Sequence, residues 1–205
     1  MTSAVPVRRL FTWHLNSSTR LVRSTDEGAN WVICAGTLSG YVYDLLVHPQ
    51  SPEIVYACLG SSIYRSTNSG VSWSRLNMPA SCYFRKMVFN PENPTVIYAT
   101  GYDYSTSPYR AVLVRSDNGG ESWNAFYFDT SSTSAYGYSI AVDPVDTATI
   151  YAGGYRASGM TMVCRSTARG VTWVRCPDFL SCGNIISIAV NPRDPLDVWS
   201  LEGSG

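Results

Sequence analysis

The chain has 205 residues, with 15 basic and 15 acidic side chains, 15% charged residues overall and 45% hydrophobic ones. That length supports one sizeable core in one or two domains. A net charge of zero gives no electrostatic basis for a nucleic-acid partner, and no stretch approaches the roughly 20 apolar residues of a membrane helix, so no membrane insertion is expected.

From the N-terminus, MTSAVPVRRLFTW lacks the apolar core of a signal peptide, so the protein is either cytosolic or has lost a leader. Residues 8–34 then read as three short strands, the last entered through the turn RSTDEGANW. The same turn returns as RSTNSGVSW, RSDNGGESW and RSTARGVTW, its tryptophans 42, 50 and 50 residues apart. A second motif runs in step with it, as LLVHPQSPEIVYA, MVFNPENPTVIYA, IAVDPVDTATIYA and IAVNPRDPLDVWS. Each unit therefore predicts four strands. An apolar first strand ends in a proline turn, since Pro has no N–H for a ladder. A β-branched and aromatic second strand follows, then a variable loop, a third strand, the glycine turn, and a fourth strand carrying the Trp. Residues 41–76, 84–126 and 138–175 are complete units, and 185–200 supplies strands one and two of another. Residues 201–205, LEGSG, read as a tag or linker.

Four strands per 40–50 residues is the period of a β-propeller blade; a parallel β-solenoid usually has a shorter repeat. The expected fold is all-β: a propeller of four-stranded antiparallel blades in one domain over residues 1–200. Its terminal strands, 8–34 with 185–200, either close a small ring or belong to a partial one. A partial ring exposes edges and apolar faces, and a second copy of the chain would complete it.

Composition around cysteine and histidine excludes other chemistry. Cys34, Cys58, Cys82, Cys164, Cys176 and Cys182 form no C-x-x-C pair, and two histidines are too few to suggest a metal site. No cofactor motif is present. Cys176 and Cys182 flank CPDFLSC and are candidates for a disulfide, and an even count fits an extracellular or periplasmic protein. Six buried thiols in a cytosolic protein is the competing reading.

The pattern Ser-x-Asp-x-Gly-x-x-Trp resembles the Asp-box, or BNR repeat, of sialidases, xyloglucanase-type glycoside hydrolases, sortilin-type receptors and photosystem-assembly propellers. Ser24, Asp26, Gly28 and Trp31 match it in full; Ser66, Asn68, Gly70 and Trp73, and then Ser116, Asn118, Gly120 and Trp123, put Asn at the Asp position; Ser166, Gly170 and Trp173 frame Ala168. Asn keeps a hydrogen-bond acceptor and discards the charge, which a turn tolerates and a catalytic carboxylate does not. These residues are expected to be structural. Arg23, Arg65, Arg115 and Arg165 precede each Ser. Recurrence in every unit favours contacts between blades over a ring of anion ligands. His48 fills the turn slot that Asn90, Asp143 and Asn191 hold before Pro elsewhere.

Strand parity puts the Asp-box and proline turns on one face and the irregular loops on the other, where function is expected. Those loops hold Tyr102, Tyr104, Tyr109, Arg110, Tyr127, Tyr136, Tyr155 and Arg156, with Ser and Gly between them. Rigid amphipathic rings beside small polar residues suit recognition. The first reading is thus a non-catalytic module or scaffold binding a protein or glycan there. The alternative is a glycoside hydrolase, xyloglucanase-like or sialidase-like, or a fragment of one. Asp103 and Asp129 are then the best loop acids, since such enzymes need two carboxylates. The sialidase Phe-Arg-Ile-Pro motif is absent; YFRKM around Arg85 departs from it. A purely structural assembly role is the third reading.

Overall fold

The computed structural model describes residues 10–16, 18–34, 38, 40–79, 81–129, 132–177 and 183–203, with side chains from Leu21 onward. All regular elements among them are strands. The first sheet is β1 (Leu10–Asn16), β2 (Ser18–Ser24) and β3 (Val32–Ile33). Blade A is β4 (Asp44–Val47), β5 (Val55–Cys58), β6 (Ile63–Ser66) and β7 (Ser74–Arg75). Blade B is β8 (Cys82–Phe89), β9 (Ile97–Asp103), β10 (Arg110–Ser116) and β11 (Asn124–Asp129). Blade C is β12 (Ala135–Val142), β13 (Ile150–Arg156), β14 (Thr161–Ser166) and β15 (Val174–Arg175). A last pair is β16 (Asn184–Val190) and β17 (Val198–Gly203). Each sheet is an antiparallel meander in chain order. The fold is a run of propeller blades. The first and last sheets are separate, with no ladder between them among the described residues. Residues 201–203 continue β17, opposite β16.

The core lies between blades rather than within them. Tyr56, Cys58 and Ile63 of blade A meet Phe84, Met87 and Val112 of blade B. On the far side of blade B, Leu113 and Phe128 meet Ile140, Ile150 and Met162 of blade C. Successive residues of β10 therefore point into different cores, and Ala111, Val112, Leu113 and Val114 are all fully buried. A strand covered on both faces has no reason to alternate apolar and polar, and the run AVLV shows none. Burial contributes about 1.5–3 kcal/mol per large aliphatic side chain. Among the described residues the last sheet has no such cover on its outer side, where Trp199 and Leu201 are exposed.

Cys34, Cys58, Cys82 and Cys164 are free, and burial pushes the thiols of Cys58, Cys82 and Cys164 up to about 12. Cys182, and with it the expected Cys176–Cys182 bridge, lies outside the described residues.

The proline turns share one device. Asn90 Oδ1 accepts the N–H groups of Glu92 and Asn93, and Asp143 Oδ1 those of Val145 and Asp146. In blade A the acceptor is His48 Nδ1, which takes the N–H groups of Gln50 and Ser51 at 3.3 and 3.1 Å. An accepting Nδ1 requires neutral imidazole with its proton on Nε2. Burial lowers the His48 pKa from 6.5; the Arg65 charge adds to this and Glu53 opposes it. A depressed pKa means that the turn's contribution is complete above the unfolded value and is lost as pH falls through the folded one. Urea unfolding should therefore show stability falling as pH drops below 6.5, and His48→Asn, which keeps the acceptor, should flatten that part of the profile.

Candidate functional site

At one end of every blade sits the Asp-box turn. Ser24, Ser66, Ser116 and Ser166 accept the N–H of Gly28, Gly70, Gly120 and Gly170 at 2.8–3.0 Å. The first three also donate to Asp26, Asn68 and Asn118 at 2.7, 3.0 and 2.9 Å. Those side chains in turn accept the N–H groups of Asn30, Ser72 and Ser122. The hydrogen bonds to Asn30 and Ser24 hold the Asp26 carboxyl down at about 2. Ala168 has no such acceptor, and the serine alone closes the fourth turn. Two consecutive residues are left-handed in each: Glu27 and Gly28, Ser69 and Gly70, Gly119 and Gly120, Arg169 and Gly170. Glycine is needed at the second of these for a further reason, since a Cβ on Gly170 would strike Leu113 of the preceding blade. The Trp73, Trp123 and Trp173 indoles donate to the same glycine carbonyls and are half-buried, whereas Trp31 is 44% exposed. The serine hydroxyls and the Asp26, Asn68 and Asn118 side chains are all committed to the turns.

The opposite end is different. Tyr83 pairs with Tyr102 across β8 and β9, and Tyr136 with Tyr155 across β12 and β13. Equivalent positions in adjacent blades thus place four rings side by side. Tyr83 stacks on Tyr102 and Tyr136 on Tyr155, with centroids 5.5 and 4.8 Å apart. Tyr102 meets Tyr136 edge-on at 5.0 Å, and Tyr109 stacks on Tyr102 at 5.9 Å. Tyr43 extends the series into blade A, its hydroxyl 2.6 Å from that of Tyr83. Burial and then the Tyr43 hydrogen bond push the Tyr83 phenol up to about 12. Burial also raises Tyr102 and Tyr155. The hydroxyls of Tyr83, Tyr102 and Tyr155 therefore stay protonated at neutral pH and can both donate and accept.

Arg85 stands among these rings. It is the extra residue of a bulge between Phe84 and Lys86, and Tyr138 is the extra residue of the matching bulge in β12. A bulge re-aims the side chain it inserts. The guanidinium lies 4.4 Å from the Tyr43 ring, 5.2 Å from Tyr83 and 5.1 Å from Tyr138, within cation–π range. Its Nε is buried with no hydrogen bond. The bulge also explains two glycines: a Cβ on Gly101 would strike the Tyr83 carbonyl oxygen, and one on Gly154 that of Tyr136. Next to Arg85, Lys86 spans to Asp44 of blade A at 2.9 Å, and Asp44 also accepts the Met87 N–H.

Of the eight residues expected to bind, Tyr102, Tyr109, Tyr136 and Tyr155 fall in this cluster. Tyr104 stands apart and lines a cavity of about 550 Å³ with Arg75, Met78 and Cys82. Tyr127 donates to Asp103 at 2.7 Å, and its ring lies 3.7 Å from the Arg110 guanidinium. Arg156 is paired with Asp129. Most of these positions are on strand ends rather than loops, because the ladders run on through Asp103↔Arg110 and Ala135↔Arg156. Asp103 and Asp129 are both buried. Burial pushes the Asp103 carboxyl up, but hydrogen bonds from Ser105 and Tyr127 and the Arg110 charge outweigh it and hold it below its usual value. Tyr43, Tyr83, Arg85 and Tyr138 escape the sequence reading, although YVYD, YFRK and YGYS are aligned copies of one slot.

The Sortilin-Vps10 family model, described as sortilin, neurotensin receptor 3, matches residues 19–159. The chain belongs to this family. No curated protein sequence matches. Among solved structures, an ancestral GH74 enzyme aligns with a TM-score of 0.75 and 23% identity over 92% of this chain. The GH74 xyloglucanase from Xanthomonas campestris aligns with a TM-score of 0.77 and 16% identity over 96%. YCF48 bound to D1 peptide aligns with a TM-score of 0.59 and 19% identity over 93%. The chain spans 25% and 34% of the two GH74 chains and 60% of YCF48. At these identities the likeness is one of fold.

Two substitutions separate the ends. Ser116→Ala should lower the unfolding free energy by about 1–3 kcal/mol, because it leaves buried donors unpaired, while Asn118→Asp, matching Asp26, should leave the urea midpoint nearly unchanged. Gly154→Ala should cost about 1–3 kcal/mol through overpacking at the bulge and weaken the near-ultraviolet circular dichroism of the tyrosine cluster.

Proposed function

We propose that this chain is a non-catalytic binding module that takes a peptide segment of a protein ligand on its tyrosine face, with Arg85 as the anchor. One observation carries the reading: the Arg85 guanidinium sits among three tyrosine rings from three blades, with a buried Nε that has no hydrogen bond. Leaving a buried donor unpaired costs about 1–3 kcal/mol, and a ligand carboxylate or carbonyl at that point recovers it.

The state of the rings favours a peptide over a glycan. Sugars stack on open aromatic faces, yet Tyr83, Tyr102, Tyr109, Tyr136 and Tyr155 are engaged with one another. Each of these rings already has a face or an edge against another ring. The acids support a binding role. A general acid needs a raised pKa, and Asp103 is held low; Asp129 is buried against Arg156. A structural neighbour, YCF48, is bound to a peptide, and two others are glycoside hydrolases.

A peptide-display selection and a glycan array with a hydrolysis assay, run in parallel, test this. The expected result is a set of peptides enriched in acidic residues, with affinity reduced about tenfold or more by Arg85→Gln, as for loss of a charge-assisted hydrogen bond. Glycan turnover abolished by Asp103→Asn or Asp129→Asn would overturn it in favour of a hydrolase.

A further inference from the structure

At the other end of the blades, the three joints between successive Asp-box turns are not made alike. Two of the arginines that precede an Asp-box serine reach the next blade. Arg23 donates to the carbonyl of Ser69 at 2.8 Å, and Arg115 to that of Arg169 at 3.1 Å. In both cases the acceptor is the first left-handed residue of the next turn. The equivalent acceptor for Arg65 is the Gly119 carbonyl. That oxygen is taken by the Tyr56 hydroxyl at 2.8 Å. Tyr56 lies directly across the ladder from Arg65, as Tyr98 does from Arg115. Between blades B and C the arginine holds the carbonyl. Between blades A and B the tyrosine does, and Arg65 is left with no hydrogen bond or ion pair among the described residues, its Nε buried.

Arg65 lines a cavity of about 400 Å³ between blades A and B, together with His48, Tyr56, Thr95, Asp117 and Glu121. That size falls within the range of small-molecule sites, about 300–1,000 Å³. The proline turn fixes the His48 tautomer with Nδ1 accepting, so Nε2 carries the proton. Arg65 and His48 both line the cavity, and among the described residues neither the guanidinium nor the imidazole N–H has a protein acceptor. Of the two acids, Asp117 is paired with Arg115 at 3.1 Å, and Glu121 is exposed on the rim. We infer that this cavity binds a tetrahedral oxoanion, a phosphate or sulfate group, on Arg65 with His48 as second donor. The planar fork of arginine suits such oxygens. A free anion and a phosphorylated or sulfated macromolecule offer the same chemistry.

The test is an NMR titration of the whole chain with inorganic phosphate, then with sulfate, following the His48 ring and the Arg65 Nε–H signals. Both signals should shift saturably, with sulfate competing. Arg65→Gln should weaken binding about tenfold or more, as for loss of a charge-assisted hydrogen bond. Tyr56→Phe is the sharper variant because it keeps Arg65. It frees the Gly119 carbonyl, which Arg65 should then take as Arg115 takes its own, and phosphate binding should fall. Glu121→Gln should tighten it. Phosphoserine binding more tightly than phosphate would identify a macromolecular source, and equal binding a free anion. No saturable shift, or unchanged affinity in both Arg65→Gln and Tyr56→Phe, would overturn the inference.

Discussion

The structure depends on one carbonyl per blade. Each Asp-box turn forces two consecutive residues into the left-handed region, and the serine hydroxyl holds them there by taking the glycine N–H. In the second, third and fourth turns the carbonyl of the first left-handed residue faces the preceding sheet, where Arg23, Tyr56 and Arg115 respectively bond it. The turn closes its own blade and joins it to a neighbour. That double duty explains why the serine and glycine recur in every copy while the Asp position drifts to Asn and Ala: the carboxylate only reinforces what the hydroxyl already holds.

With the joints at one end, the other end is released from the repeat. There the strands of blades B and C run on past the expected limits, and a bulge in each first strand turns Arg85 and Tyr138 into the space between blades. In both blades a glycine, Gly101 or Gly154, lies opposite, without a Cβ to block the close approach of the Tyr83 or Tyr136 carbonyl. A backbone device repeated in two blades thus places different side chains, an arginine and a tyrosine, in one slot. Regular backbone with irregular side chains is how a repeat protein carries a specific site.

The sequence made the blades legible because two motifs recur in phase, and it made the Asp-box role legible because Asp26 becomes Asn118 without the pattern failing. It located the face that holds Tyr102, Tyr109, Tyr136 and Tyr155. It missed Tyr43, Tyr83, Arg85 and Tyr138, which lie at or beside the start of a strand that reads as plain core. A one-residue bulge leaves no mark in composition, and only the aligned YVYD, YFRK and YGYS hint at it. The ion pair of Arg156 with Asp129 was equally hidden, since it joins blade B to blade C across 27 residues.

The Asp-box turns join the blades, and the proposed function assigns the peptide ligand to the tyrosine end. Hydrogen–deuterium exchange on the whole chain, with and without a selected peptide, tests that division most directly. New protection is predicted around residues 83–86, 101–103 and 135–139, with exchange in the turns at 116–123 and 166–173 unchanged. Protection confined to those turns, or spread evenly over the blades, would contradict it.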